Sequence, residues 1–251
     1  MRIDGERAAQ AVADCLASMF LASPWGWVRT RPGLMAGTSG APIAIVNGVW
    51  AVGPRCDAAE VAELLDGVAA TGLPYCLQAR DAQLDGLAVA RGMIAEPEIP
   101  LMVIDDLARL SPPSAVAAAV RRLDSNESDV HARAAADAYG APIELFQQLV
   151  PPEVFGLPGL RGYVIEADGG PVATGVGVVT NDHVGVYNIV TAEPYRRRGF
   201  AAAITAQAVR DGFSAGASFG WLQSTPAGYL VYRDLGFETL EHWKCWVAPP
   251  S

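Results

Sequence analysis

The chain has 251 residues, 51% of them hydrophobic, and a formal net charge of −9. That length and apolar content allow one large domain or two small ones with real cores, and the acidic balance speaks against a nucleic-acid partner. No stretch approaches the ~20 uninterrupted apolar residues of a membrane span, and residues 12–27, the most apolar early stretch, carry Asp14 and lack signal-peptide flanks, so a cytoplasmic protein with no membrane partner is expected.

In chain order, residues 34–38 and 41–52 read as strands around a turn at Ser39-Gly40. Residues 58–70 read as a helix, 73–78 as a strand, 83–91 as a helix and 100–104 as a strand. Ser111-Pro112-Pro113 opens an Ala/Val/Arg stretch to Leu123 that reads as helical, closed by the polar run 124–129. A helix is predicted over 130–149 with a break at Gly140-Ala141-Pro142, and a loop from Pro151-Pro152 to Gly162. Strands follow at 162–167, 171–180 and 183–190, joined by Asp168-Gly169-Gly170 and Asn181-Asp182, both hairpin signals. A helix over 199–213, a strand over 218–223, a short helix over 227–235 and a strand over 238–247 complete the chain. An antiparallel meander followed by helix, strand, helix, strand is mixed α/β (α+β), not an alternating doubly wound fold.

The first half carries a fainter copy of that order. A shift of 144 residues lays Arg91-Gly92-Met93 on Leu235-Gly236-Phe237 and Leu101-Met102-Val103 on Cys245-Trp246-Val247, which predicts a duplicated domain. In that register Ala88 stands under Tyr232. The cysteines, Cys15, Cys56, Cys76 and Cys245, form no C-x-x-C pair and read as buried thiols. His131, His183 and His242 show no metal-ligand spacing, so no metal is expected.

The most informative stretch is Arg196-Arg197-Arg198-Gly199, between an apolar strand and a helix that opens with small residues. The first amides of a helix lack internal partners and the helix dipole adds partial positive charge there, so a pyrophosphate can accept from several of them. Gly199 permits a close turn, and Ala201 and Ala202 keep the approach open. Arginine is unhelpful at the positive end of a helix, so three in a row point to an external anion. Neither a Walker-type G-x-x-x-x-G-K-[ST] nor a G-x-G-x-x-G after a first βαβ strand is present.

Arg196-x-x-Gly199-x-Ala201 resembles the Q/R-x-x-G-x-G/A signature of the GNAT superfamily of N-acetyltransferases. Val231-Tyr232-Arg233-Asp234-Leu235-Gly236-Phe237 resembles that family's second signature, in the right order and at the right separation. The resemblance covers residues 130–247 well, and 28–105 only through the repeat, as in tandem members with one working half. It implies two GNAT-like domains, each a mixed, mostly antiparallel twisted sheet flanked by helices. One, over 1–123, is degenerate; the other, over 124–251, is catalytic and binds acetyl-CoA.

By that resemblance the pyrophosphate of acetyl-CoA falls on backbone amides of Arg197, Arg198, Gly199, Phe200, Ala201 and Ala202, with Arg196 opening the motif. The pantetheine arm pairs with Ile189, Val190 and Thr191 like an added strand, and Ser224 is a further cofactor contact; Tyr229, about one helical turn before Tyr232, is either a cofactor contact or a packing residue. Tyr232 matches the tyrosine that protonates the departing thiolate. For the base, His183, Gly185 and Tyr187 share a strand face, which makes His183 and Tyr187 catalytic candidates; Asn188, Glu193 and a water stay open. The first half has Val52-Gly53-Pro54-Arg55-Cys56-Asp57 at its turn and Ala88 for the tyrosine, so a structural part that shapes the acceptor pocket is expected of it. Trp25, Trp27 and Trp50 either line that pocket or pack in the core.

The implied activity is transfer of an acetyl group from acetyl-CoA, an acyl-donor co-substrate, to a primary amine of a small molecule or peptide. The amine attacks directly in a ternary complex, on a monomer or homodimer. A CoA-binding sensor or regulatory module without turnover is the alternative.

Overall fold

The computed structural model describes residues 3–112 and 119–249. In chain order, α1 (Gly5–Ala22) begins at Asp4, whose carboxylate accepts from the Arg7 amide, and buries Ala8, Val12, Cys15, Leu16 and Phe20. The strands β1 (Trp27–Arg31), β2 (Leu34–Thr38) and β3 (Asn47–Ala51) form an antiparallel meander. Helix α2 (Ala58–Ala69) crosses over to β4 (Cys76–Ala79), parallel to β3, and α3 (Asp85–Ala90) leads to β5 (Ile94–Ile104). Then come β6 (Arg121–Leu123), α4 (Ser128–Tyr139), α5 (Ile143–Leu149), α6 (Pro152–Phe155) and the antiparallel β7 (Leu160–Ala167), β8 (Gly170–Thr180) and β9 (His183–Thr191). Helix α7 (Phe200–Ser214), β10 (Phe219–Gln223), α8 (Tyr229–Leu235) and β11 (Glu238–Val247) close the chain.

The chain divides into two compact units that are not the sequence halves 1–123 and 124–251. The first contains Asp4–Leu101 together with residues 240–249; the second contains Met102–Thr239. In the first, the strand order is β1-β2-β3-β4-β11-β5, with Cys245 of β11 opposite Gln78 of β4. In the second, the order is β5-β10-β9-β8-β7-β6, with β5 contributing its last residues, Met102–Ile104. Both units are discontinuous relative to the sequence halves: residues 102–112 and 119–123 group with the second half's sheet and residues 240–249 with the first half's.

The core of the first unit lies between β2, β3, β4 and the helices α2 and α3, around Val49, Leu64, Leu65, Leu77 and Leu84. That of the second lies between its sheet and α7, around Ile104, Val186, Ile204, Val209 and Leu222. A smaller cluster joins Ala132, Ala135 and Phe146 of α4 and α5 to Val190 on the sheet's other face. The repeat register holds in the elements: shifted by 144, α2 falls inside α7, α3 inside α8, β4 inside β10, and β5 on β11.

Some expectations need correction. Of the helix expected over 111–123, residues 113–118 lie outside the described ones, and 121–123 form an edge strand on β7. The strand expected over 41–52 begins only at Asn47, because Ala44–Val46 form a 3-10 turn. Strand β4 starts at Cys76, not residue 73, and β5 begins at Ile94, six residues before the expected start. Helix α1 was not anticipated, since its apolar positions merge with those of the following segment. No helix among the described residues is long and apolar enough to cross a membrane.

Candidate active site

Strand β10 pairs with β9 only where Phe219–Trp221 face His183–Gly185. Both strands run on, to Gln223 and Thr191, without further pairing to each other, so the sheet opens toward their C-terminal ends. Backbone donors and acceptors on the opened edge of β9 are available to an extended ligand chain. The expected cofactor residues Ile189, Val190 and Thr191 lie on that edge.

A β-bulge marks the opening. Opposite β8, Tyr187 pairs with Val176 and Val190 with Thr174, so Asn188 and Ile189 together oppose Gly175. Asn188 has φ 49°, in the left-handed region that asparagine tolerates better than most residues. The extra residue places neighbouring side chains on one face. Tyr187 meets the Trp221 ring edge-on, with centroids 5.3 Å apart, and Asn188 and Val190 face α4 and α5. Ile189 faces α7 instead, against the Ile204 cluster.

After Thr191 the chain turns into α7. Two residues there have positive φ, Arg197 at 61° and Gly199 at 81°. Alternation of this kind draws successive amides toward one point, a common anion cradle. Gly199 is the N-cap of α7 and no side chain caps that helix, so its first amides keep the orphan state that helix geometry gives them. The arginines divide their work. The Arg196 guanidinium donates to the Thr191 carbonyl (3.2 Å) and the Ala138 carbonyl (3.3 Å), tying the turn to the end of α4. Arg198 donates to the Pro194 carbonyl and lies over the Tyr195 ring, 5.0 Å from its centroid. All three guanidinium-bearing residues remain exposed, and the buried Thr191 hydroxyl has no hydrogen-bond partner among the described residues.

Helix α8 supplies Tyr232 and Tyr229. Its C-cap Gly236 has φ 113°, and a Cβ there would meet the Arg109 carbonyl oxygen at 2.2 Å, which explains glycine in the second signature. Tyr232 is half-buried, its ring meets Phe237, and its hydroxyl has no hydrogen-bond partner among the described residues. Burial, with Tyr139 of α4 adding to it, pushes its pKa up to about 12. The phenol therefore stays protonated at neutral pH and can give a proton but not take one. The Tyr229 hydroxyl accepts from Thr239 at 3.3 Å. Ser224 is buried just past β10 and donates to its neighbour's carbonyl, and a Cβ on Gly228 would touch the Tyr232 ring and approach the Ser224 oxygen.

The structure places His183 at the paired start of β9, opposite Phe219. It starts β9 while the turn follows the strand's end, roughly 26 Å of extended chain away. His183 is not the exposed turn residue its sequence neighbours suggest. It is buried between Phe219 and Trp221, and the Trp221 indole donates to its Nδ1 at 3.2 Å. The histidine at the opening is His131, on α4 and fully buried. Its Nδ1 lies 2.8 Å from the Thr174 hydroxyl, which donates to the Tyr163 carbonyl at 2.8 Å. With that hydrogen committed, Thr174 accepts, so Nδ1 carries the imidazole proton and Nε2 accepts from Asn188 Nδ2 at 3.0 Å. Burial lowers the His131 pKa to about 4. Sequence offered one signal for His131, a histidine on the small-residue face of an alanine-rich helix.

The first unit is built differently at the same places. Its β3 and β4 stay paired through Ala51 opposite Ala79, so no opening forms. Beyond them Arg80 donates to the Val52 carbonyl at 3.2 Å and pairs with Glu241. The start of α2 is filled by Asp57, whose carboxylate accepts from the amides of Ala59 and Glu60. Trp50 is fully buried against Phe20 (centroids 5.6 Å apart), Trp27 packs on the α2 side, and Trp25 is exposed. No group of three or more potential metal ligands occurs among the described residues.

Residues 133–237, which hold the opening, the turn and α8, match the model of the Acetyltransferase (GNAT) family. None of the curated proteins matches the chain. Among solved structures, a GCN5-related N-acetyltransferase from Kribbella flavida is similar at 22% identity, over 98% of this chain and 96% of that one, with a TM-score of 0.71. A GCN5-related N-acetyltransferase-like protein from Streptococcus suis follows at 15% identity over 96% and 98%, with a TM-score of 0.58. A tandem GNAT protein from the clavulanic acid biosynthesis pathway is similar at 13% identity over 99% and 97%, with a TM-score of 0.56. At such identities the likeness is one of fold, and it extends over both units.

Proposed function

From a chain that carries a GNAT acetyltransferase domain over residues 133–237, we propose an N-acetyltransferase whose second unit moves an acetyl group from acetyl-CoA to a primary amine. What carries the reading is the sheet opening between β9 and β10, ending at a helix start that no side chain caps. An extended pantetheine arm fits the first, and a pyrophosphate fits the second. The Thr191 hydroxyl, buried without a partner, adds a polar group that a ligand would satisfy.

In this reading, amides of Arg197 to Ala202 hold the pyrophosphate, while Ile189, Val190 and Thr191 pair with the arm. A β9 amide near Val190 polarises the thioester carbonyl, which the amine attacks as its free base. As the carbon–sulfur bond breaks, Tyr232 passes its phenolic proton to the sulfur and regains one from solvent, and the amine's surplus proton leaves to water. The first unit has neither opening nor vacant helix start, so it serves the structure and not the cofactor.

The test is Tyr232→Phe, assayed by thiol release with a panel of primary amines and by calorimetry with acetyl-CoA. Turnover should fall roughly 100-fold with binding within about twofold of the parent. Undiminished turnover would remove Tyr232 from the mechanism. Tight acetyl-CoA binding by the parent, with no turnover on any amine, would favour a sensor.

A further inference from the structure

His131 bonds to both sides of the bulge: to Thr174 on β8 and to Asn188 on β9. Thr174 pairs with Val190, just beyond the bulge, and Asn188 is one of the two bulged residues, so the two bonds tie the bulge to the strand opposite. The imidazole is fully buried in an alanine-rich face, where an aliphatic side chain would pack without desolvating two nitrogens. Its bonds must therefore specify something that packing does not. What they specify is the orientation of the Asn188 carboxamide. Nδ1 is held as a donor by Thr174, so Nε2 can only accept, and Asn188 must present its nitrogen. The carboxamide oxygen then points away from the buried ring. Asn188 is half-exposed, and that oxygen takes no hydrogen bond from any described residue.

We propose that His131 is a positioning residue that fixes the Asn188 carboxamide, so that Asn188 Oδ1 receives a hydrogen bond from the N–H of the acceptor amine. The assignment rests on the transferase reading and deepens it. An amide oxygen does not remove a proton. It orients the amine so that the nitrogen lone pair faces the thioester, and the proton leaves afterwards to water. The site thus recognises a primary or secondary amine through N–H, and a tertiary amine gains nothing from it.

Two measurements test this. Nitrogen NMR of the labelled full chain at neutral pH should show His131 protonated at Nδ1 and bare at Nε2, with the Asn188 side-chain amide protected from exchange. The opposite tautomer, or an Asn188 amide exchanging like an exposed one, overturns the proposal. Kinetics with tyramine and spermidine as probe amines then test the role. Asn188→Gly, which suits the left-handed backbone, should lower kcat/KM for the amine roughly 10- to 100-fold and leave acetyl-CoA affinity within about twofold. His131→Gln keeps an acceptor for Asn188 and should recover most of the activity that His131→Ala loses. In Asn188→Gly, adding His131→Ala should cost nothing more in amine kinetics, because His131 acts only through Asn188. Additive losses, equal loss of acetyl-CoA affinity, or unchanged amine kinetics in Asn188→Gly would each overturn the assignment while leaving the transferase reading intact. No turnover by the parent on either amine, with acetyl-CoA bound, would count against both.

Discussion

Two side chains, one half-buried and one fully buried, set the pH behaviour expected at the site, and they do so in opposite ways. Tyr232, with its pKa pushed up to about 12, stays a proton donor through the alkaline range. The pH profile of kcat should therefore show no fall near pH ~10, where an ordinary phenol ionises. A descending limb there that vanishes in Tyr232→Phe would contradict the buried setting. His131 has a folded pKa lowered to about 4 from an ordinary 6.5, through burial alone. The unfolded chain thus takes up this proton first as pH falls. The contribution is intact above pH 6.5 and is lost progressively toward pH 4, by up to about 3 kcal/mol below that. Urea unfolding followed between those pH values should show that slope in the parent and a flatter one in His131→Gln.

At the scale of elements, the contrast between α2 and α7 is the most instructive. Both follow a strand at the corresponding place in the repeat, yet Asp57 fills the start of one and Gly199 leaves the other open. Gly199→Asp should set a carboxylate against the phosphate position and strain a backbone held at φ 81°, with acetyl-CoA affinity falling at least about 100-fold and stability falling by about 1–2 kcal/mol. Unaltered affinity in a folded Gly199→Asp would mean that the helix start is not the phosphate site. This contrast was legible from Arg-Arg-Arg-Gly against Pro-Arg-Cys-Asp, because caps and turns are local chemistry. The strands of the meander and the repeat register were legible for the same reason. The bulge at Asn188 was not, since a two-residue periodicity holds on either side of it and only the partner strand reveals the slip. The distance of His183 from the turn was legible in principle from strand length. His131 became interesting only once the fold brought α4 over β9, a contact spanning 57 positions in sequence.

For the whole molecule, the consequential feature is that residues 240–249 fold within the unit built by residues 4–101. Trp243, fully buried, and Cys245 belong to that unit although they lie far from it in sequence. Trp243→Ala should cost about 3–5 kcal/mol, read as lost hydrogen-exchange protection in β4, next to β11. Protection unchanged in β4 would show that the last strand does not support it. The net charge of −9 makes the exposed arginines of the turn a local exception, and their field should matter most at low salt. Acetyl-CoA binding at the second unit alone is the central claim, and calorimetric titration of the full chain tests it most directly. The titration should show one saturable site per chain, abolished by Gly199→Asp and untouched by Asp57→Gly. No binding by the parent, or binding that Gly199→Asp leaves intact, would contradict it.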